Sequence, residues 1–299
     1  MKVLCFGSLN LDYVYPVDHI VRPGETESSD GVSVNCGGKG LNQSVALARA
    51  GVPVWHAGLV GTEGQPLMDK CVQNGVNTDH VHMIEGRSGH TIIQVDKDGN
   101  NSILLFGGAN RLITESFIDE VIADFEEGDI ILLQNEINLL HVIIEKAYEK
   151  GMQIVLNPSP FNESLTKCDL NKVSCFILNE IEGEQMTGAK VPEGILNDLK
   201  SRFPAAGIVL TLGEEGSVYL KGENICRQSA YKVKAVDTTA AGDTFTGYFI
   251  SAVINGMKPE EGLDLASKAS AIAVTRQGAL DSVPTIDEVR CFEEKEESC

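Results

Sequence analysis

Asp243 is preceded by three small residues, Ala240, Ala241 and Gly242, and followed by apolar residues at helical spacing. The small residues would therefore lie at the N-terminus of a helix, where the first backbone N–H groups have no partner within the helix. An anionic group could approach these donors at the positive end of the helix dipole. A carboxylate beside such an anion site is well placed to take a proton from a hydroxyl group that attacks phosphorus. The alternative is that Asp243 only caps the helix, which is a common use of Asp, and this segment alone does not decide between the two.

A glycine-rich turn at residues 36–43 also precedes a helical pattern, which stops at Gly51. The turn is not a Walker loop, because Lys39 is followed by Gly rather than by Ser or Thr, and its glycines lack the spacing of a dinucleotide-binding turn. It exposes one cation, Lys39, and one amide, Asn42, which suits hydrogen bonds to a small polyhydroxylated ligand. A plain turn before an amphipathic helix is the alternative.

Two polar residues follow the first predicted strand. Residues 3–6 form an apolar run typical of a short buried strand, and Asn10 and Asp12 come shortly after it. Side chains two positions apart on an extended segment point the same way, and α/β proteins bind ligands at the carboxyl edge of a parallel sheet. An amide and a carboxylate there could hold sugar hydroxyl groups, although a solvated turn explains each residue equally well.

The elements that must position these residues follow an alternating pattern. Apolar runs at residues 130–133, 153–156, 175–178 and 208–212 are typical of strands in a parallel sheet that is covered on both faces, and helical patterns occupy residues 139–150, 193–202 and 260–275. No low-complexity linker interrupts the chain, so we expect one α/β unit over residues 1–299.

A different pattern surrounds Asp98 and Gly99, where two β-rich runs within residues 91–106 flank a turn dipeptide. This predicts a β-hairpin. A further pair of β-rich runs, at about residues 13–20 and 28–35, would complete a small sheet.

The composition excludes several classes of protein. Acidic residues outnumber basic ones by 43 to 24, a formal net charge of −19, which argues against a nucleic-acid-binding surface. No signal peptide opens the chain and no apolar run approaches the ~20 residues of a membrane span, so we expect a cytosolic protein without a membrane partner. The eight cysteines form no Cys-x-x-Cys pair and the six histidines no His-Glu-x-x-His motif, which predicts free thiols and no transition-metal site.

The chain resembles the ribokinase family of carbohydrate kinases. Both signatures of that family are present: Gly-Gly-Lys-Gly-x-Asn-Gln at residues 37–43 and Asp-Thr-Thr-x-Ala-Gly-Asp-Thr-Phe at residues 237–245. Further similar segments lie in the same order along nearly the whole chain, at residues 10–12, 23–26, 108–110, 134–136, 178–180, 211–213 and 276–279.

This resemblance implies a fold and a reaction. The fold would be α/β, with a three-layer α/β/α core, a mostly parallel central sheet and a small β-sheet lid from about residues 12–36 and 89–107. In the family the lid covers the sugar and often forms the dimer contact, so a homodimer through the lid is expected. The implied reaction transfers the γ-phosphoryl group of MgATP to a primary hydroxyl of a pentose, with D-ribose and its 5-phosphate as the first expectation. The alternatives are another furanose or nucleoside (deoxyribose, fructose or pseudouridine), and a sugar-binding regulator that has lost turnover.

The resemblance also implies roles for individual residues. Asp243 would be the general base, with the backbone N–H groups around Ala240, Ala241 and Gly242 as the anion hole. The implied sugar ligands are Asn10, Asp12, Gly38, Lys39, Asn42, Glu136 and Asp243. The implied nucleotide-binding residues are Asn179, Thr211, Gly213, Gly216, Gly242 and Ser267, of which Thr211, Gly213 and Gly216 also have a plain turn explanation.

Members of the family are activated by a monovalent cation, usually potassium. The implied positions for that ion are Asp237, Thr239, Ala273, Arg276, Gly278 and Ser282, several of them through backbone carbonyl groups. A large, weakly hydrated ion suits a cage of carbonyl oxygens with one carboxylate. We expect it to set the geometry of the turn at residues 240–243 rather than to touch the substrate.

A few positions depart from the family pattern. Glu63 stands where many relatives have Asp, Cys36 and Leu41 flank the sugar motif where Phe and Ala are frequent, and Ser267 replaces a larger side chain that contacts adenine in some relatives. These changes leave the residues for phosphoryl transfer intact and leave the identity of the sugar open.

Overall fold

The computed structural model describes residues 1–292, within which thirteen strands alternate with nine α-helices. The strands are β1 (Val3–Phe6), β2 (Asn10–Pro16), β3 (Ser33–Gly37), β4 (Val54–Val60), β5 (Asn77–Met83), β6 (Gly89–Val95), β7 (Asn101–Phe106), β8 (Ile130–Gln134), β9 (Gln153–Asn157), β10 (Cys175–Asn179), β11 (Gly207–Thr211), β12 (Ser217–Lys221) and β13 (Asn224–Gln228). The helices are α1 (Lys39–Arg49), α2 (Gln65–Gln73), α3 (Glu115–Ala123), α4 (Leu140–Glu149), α5 (Glu180–Thr187), α6 (Pro192–Arg202), α7 (Ala241–Ile254), α8 (Pro259–Val274) and α9 (Ile286–Arg290).

The larger sheet has nine strands in the order β13-β12-β11-β10-β9-β8-β1-β4-β5 within the described residues. The strands from β11 to β5 run parallel, and β12 and β13 add an antiparallel edge. The four apolar runs predicted as buried strands form β8 to β11, and the three predicted helices form α4, α6 and α8, each with ends within one residue of the prediction. The predicted α/β fold with a mostly parallel sheet is confirmed.

Each face of this sheet carries its own apolar core. Side chains alternate between the two faces along a strand, so Leu4 and Phe6 of β1 pack with helices α3 to α6. Val3 and Cys5 point the other way and pack with α1, α2, α7, α8 and α9. The result is the expected three-layer α/β/α arrangement, in which both faces of the parallel strands are buried.

The smaller sheet, which we call the lid sheet, contains strands in the order β3-β2-β6-β7. The predicted hairpin at Asp98 and Gly99 is present, with β6 and β7 antiparallel and Gly99 at φ 83°. The sequence placed Asn10 and Asp12 at the carboxyl edge of the central sheet, and this is wrong. Both residues lie on β2 of the lid sheet, because the chain passes from one sheet to the other within three residues after β1.

The bounds of the first two lid strands also differ from the prediction. Strand β2 covers Asn10–Pro16 rather than residues 13–20, and it ends at a proline, which cannot donate to a continuing ladder. Strand β3 pairs only over Ser33–Gly37, so residues 28–32 form no strand.

Helices α1 and α7 cross at a glycine. A Cβ atom built on Gly247 would lie 2.5 Å from the Cβ of Ala46 and 2.8 Å from the backbone nitrogen of Leu47. Only a residue without a side chain permits this approach. This close packing places Asn42 and Gln43 of α1 next to Asp243 of α7.

Seven cysteines, Cys5, Cys36, Cys71, Cys168, Cys175, Cys226 and Cys291, have free thiols, as predicted, and Cys299 lies outside the described residues. Burial raises the pKa of Cys5 to about 11 and of Cys175 to about 12, so these thiols stay protonated at neutral pH. None of the helices in residues 1–292 has the length and apolarity needed to cross a bilayer.

Folding stability should fall in mild acid because of His56, which is fully buried on β4 and forms a hydrogen bond with the hydroxyl of Ser44 through Nδ1, 2.8 Å away. Burial lowers the pKa of His56 from 6.5 to about 4. The unfolded chain therefore binds the proton more readily. The contribution of His56 to the free energy of unfolding is complete above pH 6.5 and decreases as the pH falls to 4. We expect this group alone to cost about 3 kcal/mol by pH 4.

Urea unfolding at pH 7 and at pH 4.5 checks this expectation. The control is His56→Asn, whose amide can keep a hydrogen bond to Ser44 but does not titrate. The pH-dependent loss of stability should be smaller in the variant, and an equal loss in both proteins would contradict the assignment.

Candidate active site

Asp243 lies in the first turn of α7 and is 7% exposed. Its Oδ2 accepts a hydrogen bond from Nδ2 of Asn42 (2.9 Å), and its Oδ1 accepts one from Nε2 of Gln43 (2.8 Å). The helix starts after Ala240, which has a left-handed conformation (φ 58°) and no side-chain cap. The interpretation of Asp243 as a helix cap is therefore wrong, since its carboxylate faces α1.

The three small residues before Asp243 line a pocket, as expected of an anion site. A Cβ atom built on Gly242 would meet no atom within 4 Å, so the surface there is open. The N–H of Ala241 donates to the carbonyl of Thr238 (3.3 Å), which makes the N–H groups of Gly242 and Asp243 the better candidates to bind an anion. The turn is thus shaped to receive a negatively charged group next to the carboxylate.

The same pocket extends to the carboxyl ends of three neighbouring strands. It is lined by Lys39, Asn157, Ile177, Leu178, Asn179, Glu182, Thr211, Thr238, Ala240, Ala241, Gly242, Asp243 and Thr246. Three of the predicted nucleotide-binding residues, Asn179, Thr211 and Gly242, are among them. Because ligands of α/β proteins bind at the carboxyl ends of parallel strands, this pocket is the natural place for a nucleotide.

Asn179 also has a structural role, since it begins α5 with a reciprocal capping box. Its Oδ1 accepts from the N–H of Glu182 (2.9 Å), and its own N–H donates to Oε2 of Glu182 (3.0 Å). This contact fixes the side chain of Asn179 at the pocket wall.

The other predicted nucleotide-binding residues do not line this pocket. Gly213 (φ 55°) and Gly216 (φ 103°) form the tight turn after β11, where a Cβ on Gly216 would lie 2.0 Å from the carbonyl oxygen of Gln228. The plain turn explanation therefore applies to both glycines. Ser267 is buried on α8. A nucleotide role for these three residues stays a prediction.

Lys39 connects the pocket to the predicted sugar ligands. Burial works against its charge, but the carboxylates of Asp243, Glu136 and Glu182 together raise the pKa of Lys39 above its ordinary value. Glu136 also accepts the backbone N–H of Lys39 (3.1 Å) and the hydroxyl of Ser8. Lys39 therefore keeps a positive charge at the pocket, with its backbone next to Glu136.

On the lid strand β2, neighbouring side chains hold both predicted sugar ligands in place. Oδ1 of Asn10 accepts from Nδ2 of Asn110 (2.7 Å), which leaves the Nδ2 group of Asn10 to donate. Oδ1 of Asp12 accepts from the hydroxyl of Thr91 (2.6 Å). Burial raises the pKa of Asp12, with Glu136 adding to the effect and the Thr91 hydrogen bond opposing it. The two strand residues thus offer one donor and one acceptor.

The glycine turn completes the sugar side. Gly38 has φ 96°, and a Cβ there would lie 3.1 Å from the backbone nitrogen of Asn10, so the position favours glycine. Asn42 uses Nδ2 on Asp243, while its Oδ1 has no hydrogen-bond partner within residues 1–292. The buried oxygen and the second hydrogen of the Nδ2 group are therefore the parts of Asn42 with unused hydrogen-bonding capacity.

Sequence reasoning missed a second set of residues, which hold the predicted ones in place: Ser8, Gln43, Thr91, Asn110 and Gln134. Gln43, Asn110 and Gln134 lie in segments that resemble the family, so a signal existed. Ser8 and Thr91 carried none, since their roles depend on contacts between distant parts of the chain.

The structure brings together three of the six positions expected to hold a monovalent cation. Oδ1 of Asp237 accepts from the N–H (2.9 Å) and hydroxyl (2.6 Å) of Thr239, and Oδ2 accepts from the N–H of Gly278 (2.9 Å). Although burial opposes them, these hydrogen bonds lower the pKa of Asp237. The site thus contains one ionised carboxylate in a backbone-rich loop.

The polar side chains at the remaining expected cation positions bind other partners. The guanidinium of Arg276 pairs with Glu288 (2.7 Å), and the hydroxyl of Ser282 donates to Ala279 (2.7 Å), while the carbonyl of Ala273 accepts from the N–H of Arg276 (3.0 Å). Residues 1–292 contain no group of three His, Cys, Asp or Glu side chains that could hold a metal ion. A monovalent-cation site at these six positions stays a prediction.

Known proteins resemble this chain over nearly its whole length. Residues 1–286 match the pfkB family of carbohydrate kinases. The chain is 35% identical over 296 residues to the ribokinase of Haemophilus influenzae, a match that covers 96% of each protein. It is 30% identical over 305 residues to the deoxyribokinase of Salmonella typhi, covering 96% of this chain and 97% of the relative. The structure of Arabidopsis thaliana ribokinase complexed with ribose and ATP has a TM-score of 0.87 at 27% identity, covering 98% of this chain and 99% of that chain.

The α/β/α core has a pocket at the carboxyl ends of its parallel strands and an acid at a helix N-terminus. Both are features of a phosphoryl-transfer enzyme. The relatives define its class as a carbohydrate kinase. The chain belongs to the pfkB family of carbohydrate kinases.

Proposed function

We propose that this protein is an ATP-dependent pentose kinase that converts D-ribose to D-ribose 5-phosphate. The observation that carries the proposal is the position of Asp243, whose buried carboxylate lies beside the open first turn of α7. That turn and Lys39 border one pocket with Asn179. The ribokinase relatives support ribose as the sugar.

In the proposed mechanism, Asp243 accepts the proton of the primary hydroxyl as the oxygen attacks the γ-phosphorus of ATP. The bond from that phosphorus to the β,γ-bridging oxygen breaks, and ADP is the leaving group. The N–H groups of Gly242 and Asp243 donate to the oxygens of the transferred group, where negative charge is concentrated. Lys39 adds a positive charge between sugar and phosphate. Mg²⁺ carried by ATP neutralises the charge of the β- and γ-phosphates.

The proposed sugar site alternates donors and acceptors, as a polyol requires. Asn10 and Lys39 offer donors, and Asp12 and Glu136 offer acceptors, while Gly38 lets the backbone approach closely. These groups point to a small ring with several free hydroxyl groups.

Deoxyribose is a second candidate because a deoxyribokinase is 30% identical to the chain. Fructose and nucleosides are further members of the class. The sugar-binding regulator is disfavoured, since regulation alone does not need a carboxylate held by two amides beside an open helix N-terminus.

The test is an ATP-consumption assay with the purified protein, Mg²⁺ and potassium, across ribose, deoxyribose, fructose, a nucleoside panel and a blank without sugar. Turnover highest with ribose supports the proposal. Turnover highest with another compound keeps the reaction and changes the substrate, whereas binding without turnover favours the regulator.

Potassium is expected to raise kcat by completing the loop that contains Asp237, Thr239 and Gly278. The loop precedes the turn at residues 240–243 directly, so an ordered loop would fix the anion-binding N–H groups. Replacing potassium by tetramethylammonium at constant ionic strength should lower kcat several-fold. Unchanged activity would rule out the cation site, and Asp237→Asn should lose most of the response.

The homodimer through the lid is also proposed. Apolar side chains of the lid sheet lie exposed in the single chain, among them Val34 (52%), Leu104 (68%) and Phe106 (52%). Exposed apolar patches mark association surfaces, and sedimentation equilibrium would show whether the protein is a monomer. The cytosolic location stays a prediction.

A further inference from the structure

We propose that Gln43 and Gln134 are positioning residues that hold the Asp243 carboxylate in the orientation needed to accept a proton. This inference rests on the proposed function. It is drawn from a buried chain of hydrogen bonds that joins the end of β8 to α1 and α7.

The chain of contacts begins at the carboxylate. Nε2 of Gln43 donates to Oδ1 of Asp243 (2.8 Å), and Oε1 of Gln43 accepts from Nε2 of Gln134 (2.6 Å). Gln43 and Gln134 are 1% and 0% exposed, so water does not compete for these bonds.

Hydrogen-bonding chemistry fixes the orientation of both amides. An ionised carboxylate can only accept, so Gln43 must turn its NH₂ group to Asp243 and its oxygen to Gln134. That oxygen in turn requires the NH₂ group of Gln134. Rotation of either amide by 180° would bring two oxygens into contact, so each side chain has one permitted orientation.

The amide of Gln134 is closely packed by its surroundings. Nε2 also lies 3.6 Å from the sulfur of Cys5, and Oε1 has no partner within the described part of the chain. A Cβ built on Gly7 would lie 2.1 Å from that oxygen, so the backbone of Gly7 packs directly on the amide. Burying an amide oxygen without a hydrogen-bond partner destabilises the folded state. The hydrogen bond from Gln134 to Gln43 offsets this cost.

The consequence for Asp243 is geometric. Asn42 donates to one carboxylate oxygen and Gln43 to the other, so the plane of the carboxylate is held from both sides. Without Gln43 the carboxylate could rotate about the single contact to Asn42. Proton transfer depends steeply on such alignment, whereas substrate affinity does not.

The first test is Gln43→Met, which keeps the size of the side chain and removes its hydrogen bonds. We expect kcat to fall about 10- to 100-fold, with KM for ATP and for the sugar changed by less than about threefold. Gln73→Met, the same replacement on the exposed face of α2, is the control and should leave kcat unchanged. A kcat within about twofold of wild type in folded Gln43→Met would overturn the inference.

The second test uses the chain of contacts itself. Gln134 acts on Asp243 only through Gln43. The single replacement Gln134→Met should therefore lower kcat, but adding it to Gln43→Met should lower kcat no further. Independent losses that multiply in the double variant would contradict the proposed chain. A purely structural role would lower the melting temperature without this dependence.

Gln43→Glu gives a third measurement and serves if Gln43→Met does not fold. It places a carboxyl group beside Asp243, and two carboxylates at this distance share a proton. The acidic limb of the pH profile of kcat/KM should therefore move to higher pH, and an unmoved limb would contradict the contact between residue 43 and Asp243.

If wild-type protein shows no sugar-dependent turnover, the proposed function fails and this inference with it. If wild type is active and the variants match it, only the inference fails.

Discussion

Replacing Asp243 by Asn is expected to lower kcat by about 10²- to 10⁴-fold. The amide has nearly the shape of the carboxylate but cannot accept the proton of the attacking hydroxyl. The hydrogen bond from Gln43 also becomes unfavourable unless the new amide turns its oxygen to it. Because Asp243 is one of several groups around the sugar, binding of sugar and nucleotide should largely survive.

Single-turnover kinetics and calorimetric binding measured on the same preparation check this result. Asp198→Asn on α6 is the control, since that carboxylate pairs with Arg202 at the surface. Turnover within tenfold of wild type would exclude Asp243 as the base. Loss of sugar binding equal to the loss of rate would assign it to binding instead.

The second large effect is expected at Gly242, where a leucine should remove most nucleotide-dependent activity without unfolding the protein. No atom lies within 4 Å of a Cβ built there, so the fold has room for a side chain. That side chain would occupy the space in which the transferred phosphoryl group must approach the N–H donors. Loss of one such donor costs about 10²- to 10³-fold in rate, and we expect kcat/KM for ATP to fall at least that far. Gly242→Ala should give an intermediate loss.

Gly247, on the same helix, provides a matched comparison with the opposite outcome. Its Cβ would lie 2.5 Å from that of Ala46, so Gly247→Ala should destabilise the fold by about 1–3 kcal/mol. The molecules that remain folded should keep their rate. Thermal melts and initial rates on both variants separate the two effects, and a Gly242→Leu protein that melts early would contradict the open pocket.

Much of this architecture could be predicted from local pattern. Continuous apolar runs predicted β8 to β11, and helical spacing predicted α4, α6 and α8, because both faces of the central sheet are buried and each pattern is uninterrupted. The motifs around Lys39 and Asp243 could be identified because they resemble the two signatures of the ribokinase family.

Other features depend on contacts that no local pattern contains. The prediction that Asn10 and Asp12 lie at the edge of the central sheet was wrong. Over a few residues, a strand of the lid sheet and an edge loop of the central sheet show the same alternation of polar and apolar side chains. The amides of Gln43 and Gln134 gave no sign of meeting, since 91 residues separate them in the chain. Charge also misleads in a chain with 43 acids, where the few buried carboxylates are distinguished only by their neighbours.

The crossing of α1 and α7 has a consequence for biosynthesis. Asp243 meets Gln43 across 200 positions of sequence, so the two halves of the proposed catalytic centre leave the ribosome at very different times. A nascent or truncated chain that ends before α7 carries Lys39 and Asn42 but lacks both the proposed base and the proposed anion-binding turn. Recovery of activity during refolding should therefore require the docking of α7 on α1 in addition to the formation of the central sheet.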